Sequence, residues 1–395
     1  MEFCTRIANQ LMLKQIQNPF GKNIVSSPLS INGVLNMVVA GSIGHTLKHM
    51  LGFLGSKNVE EINSKSRKMM AVVAGGDGRS PEKVGNGLIL TMVNGAWADR
   101  RFPLVSKHKE EVLKGIFNCE ASSVDFQTKA DQVVDEINSW ASTASRGLIK
   151  EILQHGSVDP EIVLILVNGL YFKGLWDNDY KFDAMRTEKR KFYLHDGSTV
   201  LVPYMTSKKK YYYGSFDGFK VLEIPYRSCQ PNNFSMYFFL PNERDGLQNL
   251  IGKLNSDSRF LSQEYFKYLT EVKLDEFWIP KFKFSFDFNV LEVMDDMGVS
   301  FSRIENPRDL SEMVHNTEDA ESFSLKMFQK AYIEVDEKGT EAAAITQFDF
   351  VLFSNLYQSA RYNFVADHPF VFMIREEGSG LILFYGAVLN PIKED

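Results

Sequence analysis

Residues 340–352 alternate with a period of two. Thr340, Ala342, Ala344, Thr346, Phe348, Phe350 and Leu352 carry no charge, and both charged side chains of the run, Glu341 and Asp349, fall on the intervening positions. A strand with one buried face requires this period, which overrides the helical preference of the three alanines 342–344. Tyr332, Ile333 and Val335 predict a strand just before it, broken at Glu337-Lys338-Gly339. The side chains start small and end bulky, and no turn signal closes the run. The pattern predicts a segment that is a strand in one circumstance and not in another.

Elsewhere Phe3, Ile7 and Leu11, with Met12 and Ile16 beside them, recur at helical spacing and predict an amphipathic first helix. A short strand over 22–25 stops at Ser26-Ser27-Pro28, and Ser30 is placed to cap a buried helix over 31–40. Helices follow over 45–54 and 58–74, then a glycine-rich loop over 74–82, a strand over 88–97 and helices over 106–116 and 128–144. The unbroken apolar run 162–172 predicts a strand buried on both faces. Strands are predicted over 192–194, 200–206, 210–213, 218–225, 233–240 and 270–287, a helix over 289–298, irregular chain over 300–322, and a closing hairpin of 370–374 with 381–388. Helices come early and strands late, without repeat or linker, so the pattern predicts an α+β fold in one domain, 1–395.

Composition narrows the function. Of 395 residues, 44% are hydrophobic and 13% aromatic, enough for a large packed core, and the net charge of −6 leaves no electrostatic footprint for nucleic acid. The local runs Lys189-Arg190-Lys191 and Lys208-Lys209-Lys210, the latter followed by three tyrosines, read as a solvated loop or edge strand. Cys4, Cys119 and Cys229 are too far apart to suggest a disulfide framework or zinc site, and no apolar run approaches the ~18 residues a membrane span needs. The first helix lacks the apolar core of a signal peptide, so a cytoplasmic or nucleocytoplasmic location is expected, with leaderless secretion the alternative.

Enzyme chemistry finds little support. The serine elbow G-x-S-x-G is absent, seven histidines are scattered, and Gly76-Asp77-Gly78 never completes a phosphate loop. His45 and His49 lie four apart on a predicted helix and could share a metal, but Thr46 stands where a zincin needs its glutamate. No cofactor or metal is predicted.

The stretch EVDEKGTEAAAIT resembles the hinge of the serpins, their plant members in particular. Asn23-Ile24-Val25-Ser26-Ser27-Pro28-Leu29-Ser30-Ile31, Val93-Asn94-Gly95-Ala96-Trp97, Val167-Asn168-Gly169-Leu170-Tyr171-Phe172-Lys173-Gly174-Leu175-Trp176, Tyr237-Phe238-Phe239-Leu240-Pro241 and Phe364-Val365-Ala366-Asp367-His368-Pro369-Phe370 are similar to that family's motifs in the same order. The resemblance covers essentially the whole chain.

It implies the serpin fold: three β-sheets, eight or nine helices and an exposed reactive loop, here about 337–359, in a metastable monomer whose partner is a target protease. That protease attacks the loop and is trapped when the cleaved loop enters the main sheet. The hinge would comprise Glu337, Gly339, Thr340, Glu341, Ala342, Ala343 and Ala344. Counting from Gly339 puts the reactive bond between Phe353 and Ser354, with Leu352 as specificity neighbour; an aromatic Phe353 implies a chymotrypsin-like target, and Leu352 leaves papain-like cysteine proteases open. The shutter would join Ser27, Ser30 and Asn168 to Gln329, where the family's histidine is replaced, and the breach would bring Trp176 to Lys281 and Glu337. Gln329 and the bulky Phe348 and Phe350 keep a non-inhibitory binding or storage role as the alternative.

Overall fold

The computed structural model describes residues 2–18, 21–76, 88–147, 149, 151–227, 232–257, 266–340 and 362–394. Its strands, numbered in chain order, form three sheets. The main sheet runs β12 (Phe282–Asn289), β14 (Phe323–Asp336), β15 (Gly339–Thr340), β4 (Ile162–Leu175), β2 (Ile89–Asp99) and β3 (Glu120–Val124), with β13 (Arg303–Ile304) beside the start of β14. A second sheet runs β1 (Ile24–Ser26), β18 (Ile382–Val388), β17 (Phe370–Glu376), β9 (Phe234–Pro241), β8 (Phe219–Pro225), β7 (Lys210–Phe216) and β10 (Thr270–Lys273). The third holds β16 (Asn363–Val365), β11 (Glu276–Pro280), β6 (Thr199–Met205) and β5 (Glu188–Tyr193).

The helices gather around these sheets. Four precede the main sheet's first strand: α1 (Glu2–Gln17), α2 (Pro28–Val39), α3 (Gly44–Leu54) and α4 (Val59–Gly76). Later α-helices span Ala130–Ala144, Leu247–Ser256 and Val290–Asp296. With the π-helix His108–Lys114 these make eight longer helices among the described residues. The α+β class and three-sheet architecture expected from the resemblance are those observed.

The main sheet owes its position to two strands of different character. β4 is apolar on both sides and buried from Ile162 to Phe172, as its unbroken hydrophobic run predicts. β14 alternates strictly, burying Phe323, Leu325, Met327, Gln329, Ala331, Ile333 and Val335 while the residues between are half-exposed. The two pair in parallel from Ser324 opposite Ile162 to Ala331 opposite Leu170.

Several elements depart from the sequence pattern. The single strand expected over 270–287 is three strands, β10, β11 and β12, each in a different sheet. The parity of buried positions shifts at the breaks, with Asp275 and Glu276 both exposed and Ile279 and Pro280 both buried, but a shift of parity does not say which sheet each piece joins. The helix expected over 106–116 narrows to a π-helix, where the amide of Gly115 donates to Glu110 O at 3.0 Å. Ser30 does not cap α2. Pro28 occupies the first turn and Ser27 is the cap, its Oγ accepting from the Ser30 amide at 3.1 Å. Strand β3 had no sequence signal, since its five residues carry a single apolar-branched side chain at the end.

Candidate functional site

Parallel pairing of β14 with β4 ends at Ala331, and above it the two-residue strand β15 lies between them. It is antiparallel to both: Thr340 is opposite Val335 on one side and Gly174 on the other, and Gly339 is opposite Asp336 and Leu175. The chain reaches this gap through a tight reversal. Asp336 Oδ1 accepts from the amides of Lys338 at 2.8 Å and Gly339 at 3.2 Å, closing the turn that the sequence breaks at Glu337-Lys338-Gly339. Burial raises the Asp336 pKa even though these amides favour the carboxylate.

Gly339 is dictated by space. A Cβ there would lie 1.9 Å from the carbonyl oxygen of Gly174, at a φ of +154°. No other residue lets the chain approach β4 so closely. The next side chain, Thr340, is 1% exposed, and its Oγ1 lies 2.7 Å from the Tyr226 hydroxyl.

Trp176 fixes the turn from below. Its indole Nε1 donates to Asp336 O at 2.9 Å, its amide donates to Lys338 O at 2.8 Å, and its ring stacks on Tyr226 with centroids 4.7 Å apart. Lys281 Nζ meets Glu337 Oε2 at 2.8 Å, and Thr187 donates to Glu337 Oε1 at 2.6 Å. Burial alone would raise the Glu337 pKa, but the hydrogen bonds from Lys281 and Thr187 outweigh it and hold the carboxyl below its ordinary value. The structure thus brings together Trp176, Lys281, Glu337, Gly339 and Thr340. Sequence reasoning missed Tyr226, Asp336 and Thr187. Tyr226 sits just past the end of β8, a strand of another sheet, and nothing local marks it.

Lower in the same sheet, three amides form a row. Asn94 of β2 is opposite Asn168 of β4, and Asn168 is opposite Gln329 of β14. All three are buried in an otherwise apolar layer, Asn168 and Gln329 at 0% exposure. Asn168 Nδ2 donates to Asn94 Oδ1 at 2.6 Å, and Asn94 Nδ2 donates to Phe117 O at 2.8 Å. Gln329 Oε1 accepts from the Ser27 amide at 3.2 Å, tying β14 to the start of α2. Ser27, Ser30 and Gln329 are therefore linked, but Asn168 bonds to Asn94 rather than joining them directly. Among the described residues Asn168 Oδ1, Gln329 Nε2 and Ser30 Oγ have no hydrogen-bond partner. Asn94 was the missed member, and its signal was an amide in a strand of apolar neighbours at the level of Asn168.

Glu341, Ala342, Ala343, Ala344, Leu352, Phe353 and Ser354 lie outside the described residues.

A long sheet with a short antiparallel strand wedged into the top of a parallel seam is a distinctive arrangement, and the comparisons agree on where it occurs. The family model described as Serpin (serine protease inhibitor) matches residues 1–391. The chain belongs to the serpin family. Among curated relatives, this serpin is 40% identical to Serpin-ZX of Arabidopsis thaliana over 94% of this chain and 92% of that one. It is 38% identical to Serpin-ZX of Hordeum vulgare over 99% and 96%. In structure it is similar to Arabidopsis AtSerpin1 in its native stressed conformation, with a TM-score of 0.86 and 37% identity, covering 99% of this serpin and 97% of that chain. Uncleaved ovalbumin shares the fold with a TM-score of 0.79 at 24% identity. Among this serpin's described residues, no helix is long and apolar enough to cross a membrane.

Proposed function

We propose that this serpin is a suicide-substrate inhibitor of a chymotrypsin-like serine protease. The reading treats 1–395 as one domain, with the reactive loop at about 337–359 and the bond offered for attack between Phe353 and Ser354. One observation carries it above all. The hinge residues Gly339 and Thr340 already stand between β14 and β4, antiparallel to both, in the register that a longer inserted strand would continue. Serpin loop insertion is itself a standard instance of strand addition, and the period-two pattern of 340–352 supplies a strand of suitable alternation.

The chemistry follows in order. The protease serine attacks the carbonyl of Phe353, whose aromatic side chain suits a deep apolar primary pocket. The bond to Ser354 breaks, Ser354 departs with its amine, and the acyl-enzyme forms. The freed segment then extends β15 downward between β14 and β4, carrying the protease away from the geometry it needs for deacylation. Each backbone hydrogen bond gained is worth roughly 1 kcal/mol net, so about a dozen inserted residues suffice to deform a bound enzyme. In this reading Leu352 refines specificity, the partner is a protease and not nucleic acid, the serpin is a monomer, and it acts in the cytoplasm or outside the cell.

A second reading, a non-inhibitory binding or storage protein, is favoured by Gln329, whose Nε2 has no hydrogen-bond partner in the buried row. Mixing with chymotrypsin followed by denaturing electrophoresis separates the two. A covalent complex that survives denaturation is the expected result. Complete conversion to a cleaved form, with no complex and no rise in melting temperature, overturns the inhibitory reading; a complex formed only with papain-like proteases moves the specificity to Leu352.

A further inference from the structure

We propose that His45 and His49 on α3 form a two-imidazole site for a divalent transition-metal ion such as Ni(II), Cu(II) or Zn(II). The residues lie one helical turn apart, both are exposed, and their ring centroids are 3.9 Å apart. No hydrogen bond or ion pair joins either ring to another of the described residues, so ring nitrogens are open to a ligand. Three other histidines differ, and His195 and His315 have no histidine one helical turn away. His108 and His368 are buried, His368 using both nitrogens on Asp367 and the Pro241 carbonyl, and the nitrogens of His155 face Asp131 and Asp135 at 3.5 and 3.2 Å.

The helix that carries the pair is held in place before any ion arrives. Thr46 and Met50 bury the adjoining face of the helix. Its first turn is tied to Asp309, which accepts from the Thr46 amide through Oδ2 at 2.8 Å and from the Ile43 amide through its carbonyl at 2.7 Å. Its last turn closes on Gly55 in the left-handed conformation at φ 60°. Two ligands on a preformed helix lose little freedom on binding, and turning the exposed rings brings one nitrogen of each toward a common ion. Neutral imidazole suits nickel, copper and zinc, in the affinity order Cu(II) above Ni(II) and Zn(II). Among the described residues no group of three or more His, Cys, Asp or Glu is arranged to hold a metal, so water completes the coordination. Protons compete for the same nitrogens, so affinity falls as the pH is lowered. The ion would clamp α3, which packs on α2, and would stabilise the fold without touching the hinge.

Equilibrium dialysis of the full-length protein against NiCl2 tests this. One Ni(II) per chain is expected, with the melting temperature rising as the site fills. The double substitution His45→Gln, His49→Gln should weaken binding by at least the ~10-fold that a supporting ligand contact is worth and abolish the thermal shift, while His155→Ala leaves both unchanged. Equal Ni(II) binding by the double variant, or no saturable binding by the unsubstituted chain up to about 1 mM, overturns the proposal. Titration of chymotrypsin by metal-free protein is independent of either outcome, so failure here is distinguishable from failure of the inhibitory reading.

Discussion

The Thr340 hydroxyl and the Tyr226 hydroxyl lie 2.7 Å apart in a fully buried pocket at the top of the main sheet. One belongs to β15 and the other to the segment leaving the second sheet, so under the proposed mechanism this contact joins the moving part to the fixed part. Tyr226→Phe keeps the ring stacked on Trp176 but removes the hydroxyl, leaving Thr340 Oγ1 buried without that partner. The expected loss is about 1–2 kcal/mol of hinge attachment, seen as faster limited proteolysis at the hinge and a lower melting temperature. Unchanged proteolysis would show that the hydrogen bond does not hold the hinge.

Thr340→Arg tests insertion itself. A side chain at 1% exposure cannot become a guanidinium without leaving the gap. Under the proposed mechanism the variant is cleaved by chymotrypsin as a substrate and forms at least about tenfold less covalent complex, equivalent to ~1.4 kcal/mol in partition. Full complex yield on the gel would refute the hinge assignment.

The Lys281–Glu337 pair adds a pH-dependent component. The Glu337 carboxyl is held below its ordinary value of 4.5, so the folded state favours the carboxylate. Its contribution is present above that value and is lost as pH falls through the lower folded one. With Lys281 35% and Glu337 12% exposed, Glu337→Gln should cost no more than about 1 kcal/mol at pH 7. The difference in urea midpoint between the two proteins should shrink as the pH is lowered below 4.5, and a constant gap would contradict the ion-pair account.

Two groups elsewhere, His108 buried and Glu223 half-buried, act in opposite directions. Burial pushes His108 from 6.5 down to about 4, so the unfolded chain binds more protons between these values and stability falls as pH drops through them. Burial, reinforced by Glu377, lifts Glu223 from 4.5 to about 7, although Ser235, Tyr237 and Arg375 oppose it, so stability falls as pH rises through that range. Each carries on the order of 3 kcal/mol. His108→Leu should flatten the acid side of a stability–pH curve, and Glu223→Gln the neutral side; a curve unmoved by either would place the pH dependence in other groups.

How far the sequence revealed this architecture depended on the range of each signal. The buried run of β4 and the alternation of β14 were legible because burial on two faces or one leaves a period in the chain itself. Changes of partner were not. The charged pair Asp275-Glu276 and the apolar run Phe277-Trp278-Ile279-Pro280 interrupt the alternation within 270–287, but neither says that three sheets share the segment. The hinge was legible as Gly339 followed by small residues, yet the reason for glycine, the carbonyl of Gly174, lies 165 positions earlier and emerges only in three dimensions. Tyr226 and Thr187 were invisible for the same reason, since their partners belong to a turn more than a hundred residues downstream.

The seam between β4 and β14 gives the molecule a direction. For most of its length it is a single parallel interface, whose slanted hydrogen bonds are slightly weaker per residue than antiparallel ones. Under the proposed mechanism a strand continuing from β15 would be antiparallel to both neighbours, so each residue that enters would exchange one weaker interface for two stronger ones. Entry then proceeds like a ratchet, because withdrawal at any stage must break both sides together. Thr340, already seated, is the first tooth.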